Sequence, residues 1–224
     1  FNSIPIQKTL LILRKLGLSE EDIALLREYY QGAWFRVRST SRPSARIGLR
    51  RGLKQGDPLS PLLGAVVAEI ISRRLDELGK GLRISDRILL SHLFFVDDAT
   101  LAAWSIEDMA DMLRVVQEVC DWLGIDINLA KTEVSAYDYG VGRELDTASL
   151  RLGGRMIKRL DPHEAFEYLG IRLSLVGVCQ AEREYVIEAT RSAVNRLYKH
   201  PYSPSQVHWL IESAIIGESS GQVS

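Results

Sequence analysis

A strand-type run from Ile88 to Val96 leads into two adjacent carboxylates, Asp97 and Asp98, and Ala99 to Ala103 leads away from them. Two apolar arms around a turn read as a hairpin. Burying an unpartnered charge costs several kcal/mol, so such a hairpin forms only with its acids exposed or neutralised. Exposed turn acids are common in themselves. Here the apolar strands on both sides hold the pair rigidly, and hard oxygen ligands on a rigid turn suit Mg²⁺, which takes one or two carboxylates together with phosphates.

The rest of the chain supplies helices to support that hairpin. Ile6, Leu10, Leu13 and Leu16 follow Pro5 at helical spacing and Gly17 stops the run, predicting a helix over about 5–16. Ser19 reads as the N-cap of a second helix, with Glu20, Glu21 and Asp22 at its positive end and Gly32 beyond Gln31. Alternation from Ala33 to Leu49 around a Ser/Thr/Pro turn predicts a hairpin. Ser60 reads as the cap of a long helix to about Leu78, its apolar face made by Leu63, Val66, Val67, Ile70, Ile71 and Leu75. Ser105 to Leu123 reads as a helix stopped by Gly124, then a turn and strand to Ala136. A polar stretch to Glu164 carries a small hairpin around Gly153-Gly154, Phe166 to Leu173 reads as a strand, and Gln180 to about Lys199 as a helix. The tail after Gly217 is expected to be disordered.

Charge is local. The chain has 28 Lys and Arg against 29 Asp and Glu, but Arg36, Arg38, Arg42, Arg46, Arg50, Arg51 and Lys54 fall in one stretch without an acid. That leaves 21 basic against 29 acidic residues elsewhere, a net −8. A uniformly basic coat is excluded and any polyanion contact has to be regional; this stretch either binds phosphate or is a solvated surface hairpin. Cys120 and Cys179 cannot make a disulfide framework or a zinc site alone, and read as buried free thiols in a reducing compartment. No apolar run approaches the roughly 20 residues that span a bilayer, so the expected place is intracellular, in nucleus or cytoplasm, neither secreted nor membrane-bound.

Phe95-Val96-Asp97-Asp98 resembles the aromatic-x-Asp-Asp box of reverse transcriptases. Arg51-Gly52-Leu53-Lys54-Gln55-Gly56-Asp57-Pro58-Leu59-Ser60-Pro61-Leu62-Leu63 is similar to the box preceding it in the non-LTR retrotransposon branch. Gly124-Ile125-Asp126-Ile127-Asn128-Leu129-Ala130-Lys131-Thr132 resembles the Gly-x-x-x-Asn-x-x-Lys-Thr segment, and Tyr168-Leu169-Gly170 the primer-grip hairpin. Phe1-Asn2-Ser3-Ile4-Pro5 is similar to the second half of the first palm box, so the resemblance runs from residue 1 to about 175. Taken singly, Gln55 to Pro58 could be a turn, Lys131 a solvated residue, Tyr168 core packing and Phe1 a chain end. Their order and spacing decide against that.

The resemblance implies an α+β right-hand polymerase palm, an antiparallel sheet packed on helices. Residues 1–175 would form the palm with part of the fingers, and 176–224 the start of a helical thumb. Asp97 and Asp98 would bind Mg²⁺, with Mn²⁺ as its substitute. Phe1 would sit under the sugar and exclude a 2′-hydroxyl, Gln55 and Gly56 would lie against the incoming nucleotide, and Lys131 near the triphosphate as charge partner or general acid. Arg51, Pro58, Ser60, Tyr168, Leu169 and Gly170 would meet template and primer. The implied activity is RNA-directed DNA synthesis, with RNA template, DNA primer and dNTPs as partners. A group II intron maturase and a catalytically decayed RNA-binding scaffold are the alternatives. The family's first-box aspartate falls upstream of Phe1, so residues 1–224 are expected to be a fragment, inactive alone.

Overall fold

A computed structural model of the chain describes residues 3–37, 42, 44–48, 52–54, 56–96, 98–169, 171–177, 180–198, 203 and 206. Phe1, Arg38, Arg50, Arg51, Gln55, Asp97, Gly170, Cys179 and the tail after Gly217 lie outside the described residues.

The chain forms two compact units. The first comprises Phe1–Thr132 with Ser149–Ile157, the second Glu133–Ala148 with Lys158–Ser224. The first opens with α1 (Ile6–Lys15) and α2 (Glu20–Gln31). The Ser19 hydroxyl accepts the Asp22 N–H at 3.1 Å, so this cap is as expected. A short antiparallel ladder follows, β1 (Trp34–Phe35) with β2 (Ile47–Gly48), in the predicted hairpin. α3 (Leu59–Leu78) ends at Gly79, whose φ of 66° is the left-handed conformation that lets the chain leave a helix. Its buried residues Leu63, Val67, Ile71 and Leu75 recur every fourth position, and Val66 and Ile70 are half-buried beside them.

The run from Ile88 to Val96 is two strands. β3 (Leu82–Ser85) pairs with β4 (Ile88–Leu90), and β5 (His92–Phe95) pairs with β6 (Asp98–Leu101). Ser91 separates them, and its carbonyl accepts the Ala102 N–H at 2.8 Å. α4 (Ile106–Leu123) then starts at Ser105, which accepts the Asp108 N–H at 3.0 Å, and stops at Gly124 with φ 73°. Lys80 ties the end of α3 to α4 through Asp108 and Asp111, at 2.8 and 2.6 Å.

α3 and α4 build the core. Leu75, Met112 and Leu123 have 1% exposure or less, and Ile4, Ile12, Tyr30 and Leu53 belong to the same cluster. Cys120 is buried there, free as expected, and burial, with Asp121 adding, pushes its thiol up to about 11.

The expected strand before Ala136 is only β7 (Glu133–Val134). β8 (Tyr137–Asp138) pairs with β9 (Arg143–Glu144), and β10 (Arg151–Leu152) with β11 (Arg155–Met156) around Gly153-Gly154, the hairpin predicted there. β12 (Lys158–Arg159) joins β7 in parallel. The stretch read as one strand from Phe166 is a hairpin, β13 (Phe166–Tyr168) with β14 (Ile171–Leu173), turning at Leu169 with φ 52°. α5 (Gln180–Tyr198) follows as predicted. Among the described residues the strands form seven two-stranded ladders, six antiparallel. The fold is therefore mixed helix and strand with small antiparallel sheets, and no described helix is long and apolar enough to cross a membrane.

Candidate active site

In the β5–β6 hairpin Phe95 stands opposite Asp98. Side chains alternate across a ladder. Asp98 therefore shares a face with Phe95, Leu93 and Thr100, and His92, Phe94 and Leu101 share the other. The second face is anchored. Phe94 and Leu101 pack against the core, and the His92 ring nitrogens lie 2.6 Å from Ser72 Oγ of α3 and 2.7 Å from Ser91 Oγ.

The first face is open. Phe95 is 55% exposed, Asp98 is exposed, and among the described residues its carboxylate has no ion pair or hydrogen bond. An unpartnered carboxylate on a core-anchored strand has the donor chemistry that a hard divalent cation takes. Among the described residues no three His, Cys, Asp or Glu side chains are grouped for a metal. Asp98 fits such an ion, and its sequence neighbour Asp97 would add a second carboxylate.

Val96 has φ 59°. A β-branched residue in the left-handed region is strained, by about 1–3 kcal/mol, and a two-residue hairpin turn ordinarily takes Asn or Gly. The ladder and the His92 anchor hold it there. Nothing in the string Phe95-Val96-Asp97-Asp98 announces this strain.

The loop before α3 is built around Asp57, 9% exposed. Its Oδ1 accepts the Leu59 N–H at 3.1 Å and its Oδ2 the Tyr30 hydroxyl at 3.1 Å. Asp57 thus does the capping work expected of Ser60. Ser60 sits inside the first turn, 3% exposed, its hydroxyl donating to the Lys54 carbonyl at 2.6 Å. Gly56 has φ 84° with open space where a Cβ would be, so conformation and not crowding calls for glycine. Gly56 and Pro58 are exposed at the top of this loop. The sequence reading missed Asp57 and Tyr30, although Asp-Pro just before an apolar helix is itself a start signal.

Burial pushes the Tyr30 phenol up, with Asp57 adding and a Ser60 hydrogen bond opposing. The phenol therefore stays a donor. Tyr30→Phe is expected to lower unfolding free energy by about 1.5–3 kcal/mol, the range for a hydrogen bond to a charged group, read as a lowered urea midpoint; an unchanged midpoint would remove this bond from the loop's support.

Lys131 is exposed in a turn whose N–H donates to the Asn128 carbonyl at 3.0 Å, and among the described residues it has no ion pair. In the second unit Tyr168 is half-buried at the end of β13, and Leu169 is 43% exposed at the turn.

The family model described as "Reverse transcriptase (RNA-dependent DNA polymerase)" matches residues 1–173, and the chain belongs to this family. Proteins of the family use divalent metal ions, nucleic-acid template and primer, and nucleotides. Three of its relatives are Pol polyproteins of R2 retrotransposable elements, of the non-LTR branch. Over 218 residues the chain is 26% identical to the Retrovirus-related Pol polyprotein from type-1 retrotransposable element R2 of Popillia japonica, covering 96% of this chain and 35% of that protein. It is 24% identical over 212 residues to the corresponding polyprotein from type-2 retrotransposable element R2DM of Drosophila melanogaster, covering 91% and 19%. With the type-1 element R2 polyprotein of Nasonia vitripennis it shares 26% over 186 residues, 81% of this chain and 18% of that one. The chain thus spans about a third or less of the length of these relatives. They favour the retroelement reading over the maturase and the decayed scaffold.

Proposed function

We infer that this chain is the polymerase core of an RNA-directed DNA polymerase of a non-LTR retroelement, extending a DNA primer on an RNA template with dNTPs. The observation that carries the reading is the family match over residues 1–173, with the Asp98 carboxylate exposed on an anchored hairpin and, among the described residues, without a partner. Asp97 and Asp98 hold Mg²⁺, or Mn²⁺ in its place. When bound, such ions lower the pKa of the primer 3′-hydroxyl and neutralise charge on the transferring phosphoryl group. Gln55 and Gly56 lie against the nucleotide, and the buried Asp57 and Ser60 contacts keep that loop in shape. Lys131 supplies a free cation to the leaving pyrophosphate. Arg51, Pro58, Tyr168, Leu169 and Gly170 contact template and primer, Ser60 acting through the loop it holds. Residues 1–175 make palm and part of the fingers and 176–224 begin the thumb; the palm so assigned takes in the first unit and the strand-rich part of the second.

Primer extension on an RNA template, with and without a chelator, tests this directly. Divalent-ion-dependent incorporation of dNTPs is expected, and its absence in the protein carrying this chain would end the reading. Phe1 extends the test to the sugar. An aromatic ring under the sugar excludes a 2′-hydroxyl sterically, and small misplacements are costly in an oriented reaction. Phe1→Val is expected to raise rNTP relative to dNTP incorporation by about tenfold or more, equivalent to about 1.4 kcal/mol, with the metal requirement unchanged. Unaltered sugar preference in a folded, active variant would take Phe1 out of the site.

A further inference from the structure

Past the end of β6 opposite to Asp98, the chain borders an open cleft of about 580 Å³, a volume within the range of ligand sites. Its lining comes from three places: Gly79, Lys80 and Gly81 after α3, Arg83 and Leu89 of the β3–β4 ladder, and Trp104 just before α4. All belong to the first unit. Two features shape the cleft in advance. Lys80 bridges Asp108, also on the lining, and Asp111, at 2.8 and 2.6 Å. A Cβ added at Gly81 would lie 2.7 Å from the Leu90 carbonyl oxygen, so the backbone there is closely packed.

Trp104 is 74% exposed, although it holds the position before the Ser105 cap, where an apolar side chain ordinarily packs back on its helix. Among the described residues its ring has no aromatic or cationic partner. Large aromatic side chains left in water mark contact surfaces. Arg83 pairs with Leu89 across the ladder, so the two share a face, and among the described residues Arg83 has no ion pair. The other charges nearby are matched. Lys80 and Asp108 neutralise each other, Asp111 is taken by Lys80 and Arg114, and Asp86 stands beside Arg87 at the hairpin tip. The charge left over on the lining is that of Arg83, positive, next to two apolar side chains. A single carboxylate beside an aromatic ring complements it. A nucleic acid does not, because its run of phosphates would meet Asp86, Glu107 and Asp108 as well. Ile84 and Ile88 extend the exposed apolar surface along the same hairpin, and among the described residues neither β3 nor β4 has a second strand beside it. A surface of that reach suits an extended peptide better than a small molecule.

We propose that this cleft docks a peptide segment of a partner protein, an aromatic side chain lying on Trp104 and Leu89 and the adjoining aspartate or glutamate carboxylate pairing with Arg83. The contact does not rest on the polymerase reading.

The experiment titrates the intact chain, labelled with nitrogen-15, with a short peptide of glycine and serine around an adjacent phenylalanine and glutamate. The readout is the indole N–H signal of Trp104, identified by its loss in Trp104→Leu. A saturable shift of that signal is expected. Alanine in place of the peptide's phenylalanine should weaken binding by about tenfold or more, and glutamine in place of its glutamate by about fivefold. Arg83→Gln should bind the glutamate and glutamine peptides equally, at the level of the parent with the glutamine peptide, and Arg83→Lys should restore part of the preference. Because Arg83 and Trp104 are exposed, both variants should keep native melting. The absence of a saturable shift at Trp104 overturns the proposal. So does equal affinity of the parent for the glutamate and glutamine peptides, or displacement of the peptide by a single-stranded RNA regardless of Arg83. Peptide binding without primer extension would sink the polymerase reading alone, and primer extension without peptide binding would sink the docking site alone.

Discussion

Asp98→Asn is expected to lower divalent-ion-dependent DNA synthesis on an RNA template by about 10³-fold, with melting almost unmoved. Charge stabilisation by metal ions at a transferring phosphoryl group supplies several kcal/mol, and each 1.4 kcal/mol is about tenfold in rate. Asparagine keeps the shape of the side chain and removes the ligand charge. Because Asp98 is exposed, with no partner among the described residues, folding should change by no more than about 0.5 kcal/mol. Asp97→Asn should lower synthesis likewise. Steady-state primer extension and a thermal melt on the same preparation decide the matter. Retained synthesis would remove Asp98 from the site, and lost synthesis accompanied by a large fall in melting would make its role structural. RNA binding separates enzyme from scaffold. Binding that survives Asp98→Asn while synthesis is lost is the enzyme's behaviour, since a scaffold would bind equally and never extend.

The helices were legible because their signals are local. The fourfold spacing from Leu63 to Leu75, the caps at Ser19 and Ser105 and the stops at Gly79 and Gly124 each act within a turn of the residue that carries them. The strands were less so, because apolar residues alone do not say which neighbour they pair with. Ile88 to Phe95 divides at Ser91 because its two parts find different partners, β3 behind and β6 ahead, and β3 itself has no strong alternation to announce it. The acids and their boxes were readable as strings. What holds them was not. Asp57 serves Tyr30, 27 positions away in the chain, and His92 reaches Ser72, 20 positions away. Such long-range hydrogen bonds leave no periodic trace. The left-handed Val96 defies local preference, and only a ladder closed on both sides of it makes that conformation tolerable.

The same division of labour predicts where the molecule is most easily broken. Leu75 is fully enclosed, in one core cluster with Met112, Val115 and Val119 of α4. Leu75→Ala is expected to lower unfolding free energy by about 2–5 kcal/mol, from lost burial plus the cavity left behind. Two rigid helices facing each other collapse poorly into such a void, which favours the upper part of that range. Chemical denaturation should show a lower midpoint with the same slope, because the surface exposed on unfolding hardly changes. Leu25→Ala removes the same atoms from a residue 65% exposed, and should change stability by no more than about 0.5 kcal/mol. Similar losses in the two variants would mean that the α3–α4 contact is not the centre of the core. Ser72 lies one helical turn before Leu75 and bears on His92, so α3 links the core to the Asp98 hairpin. A cavity at Leu75 should therefore reduce synthesis chiefly by reducing the folded fraction, and synthesis per folded molecule, measured well below the midpoint, should stay within about twofold of the parent.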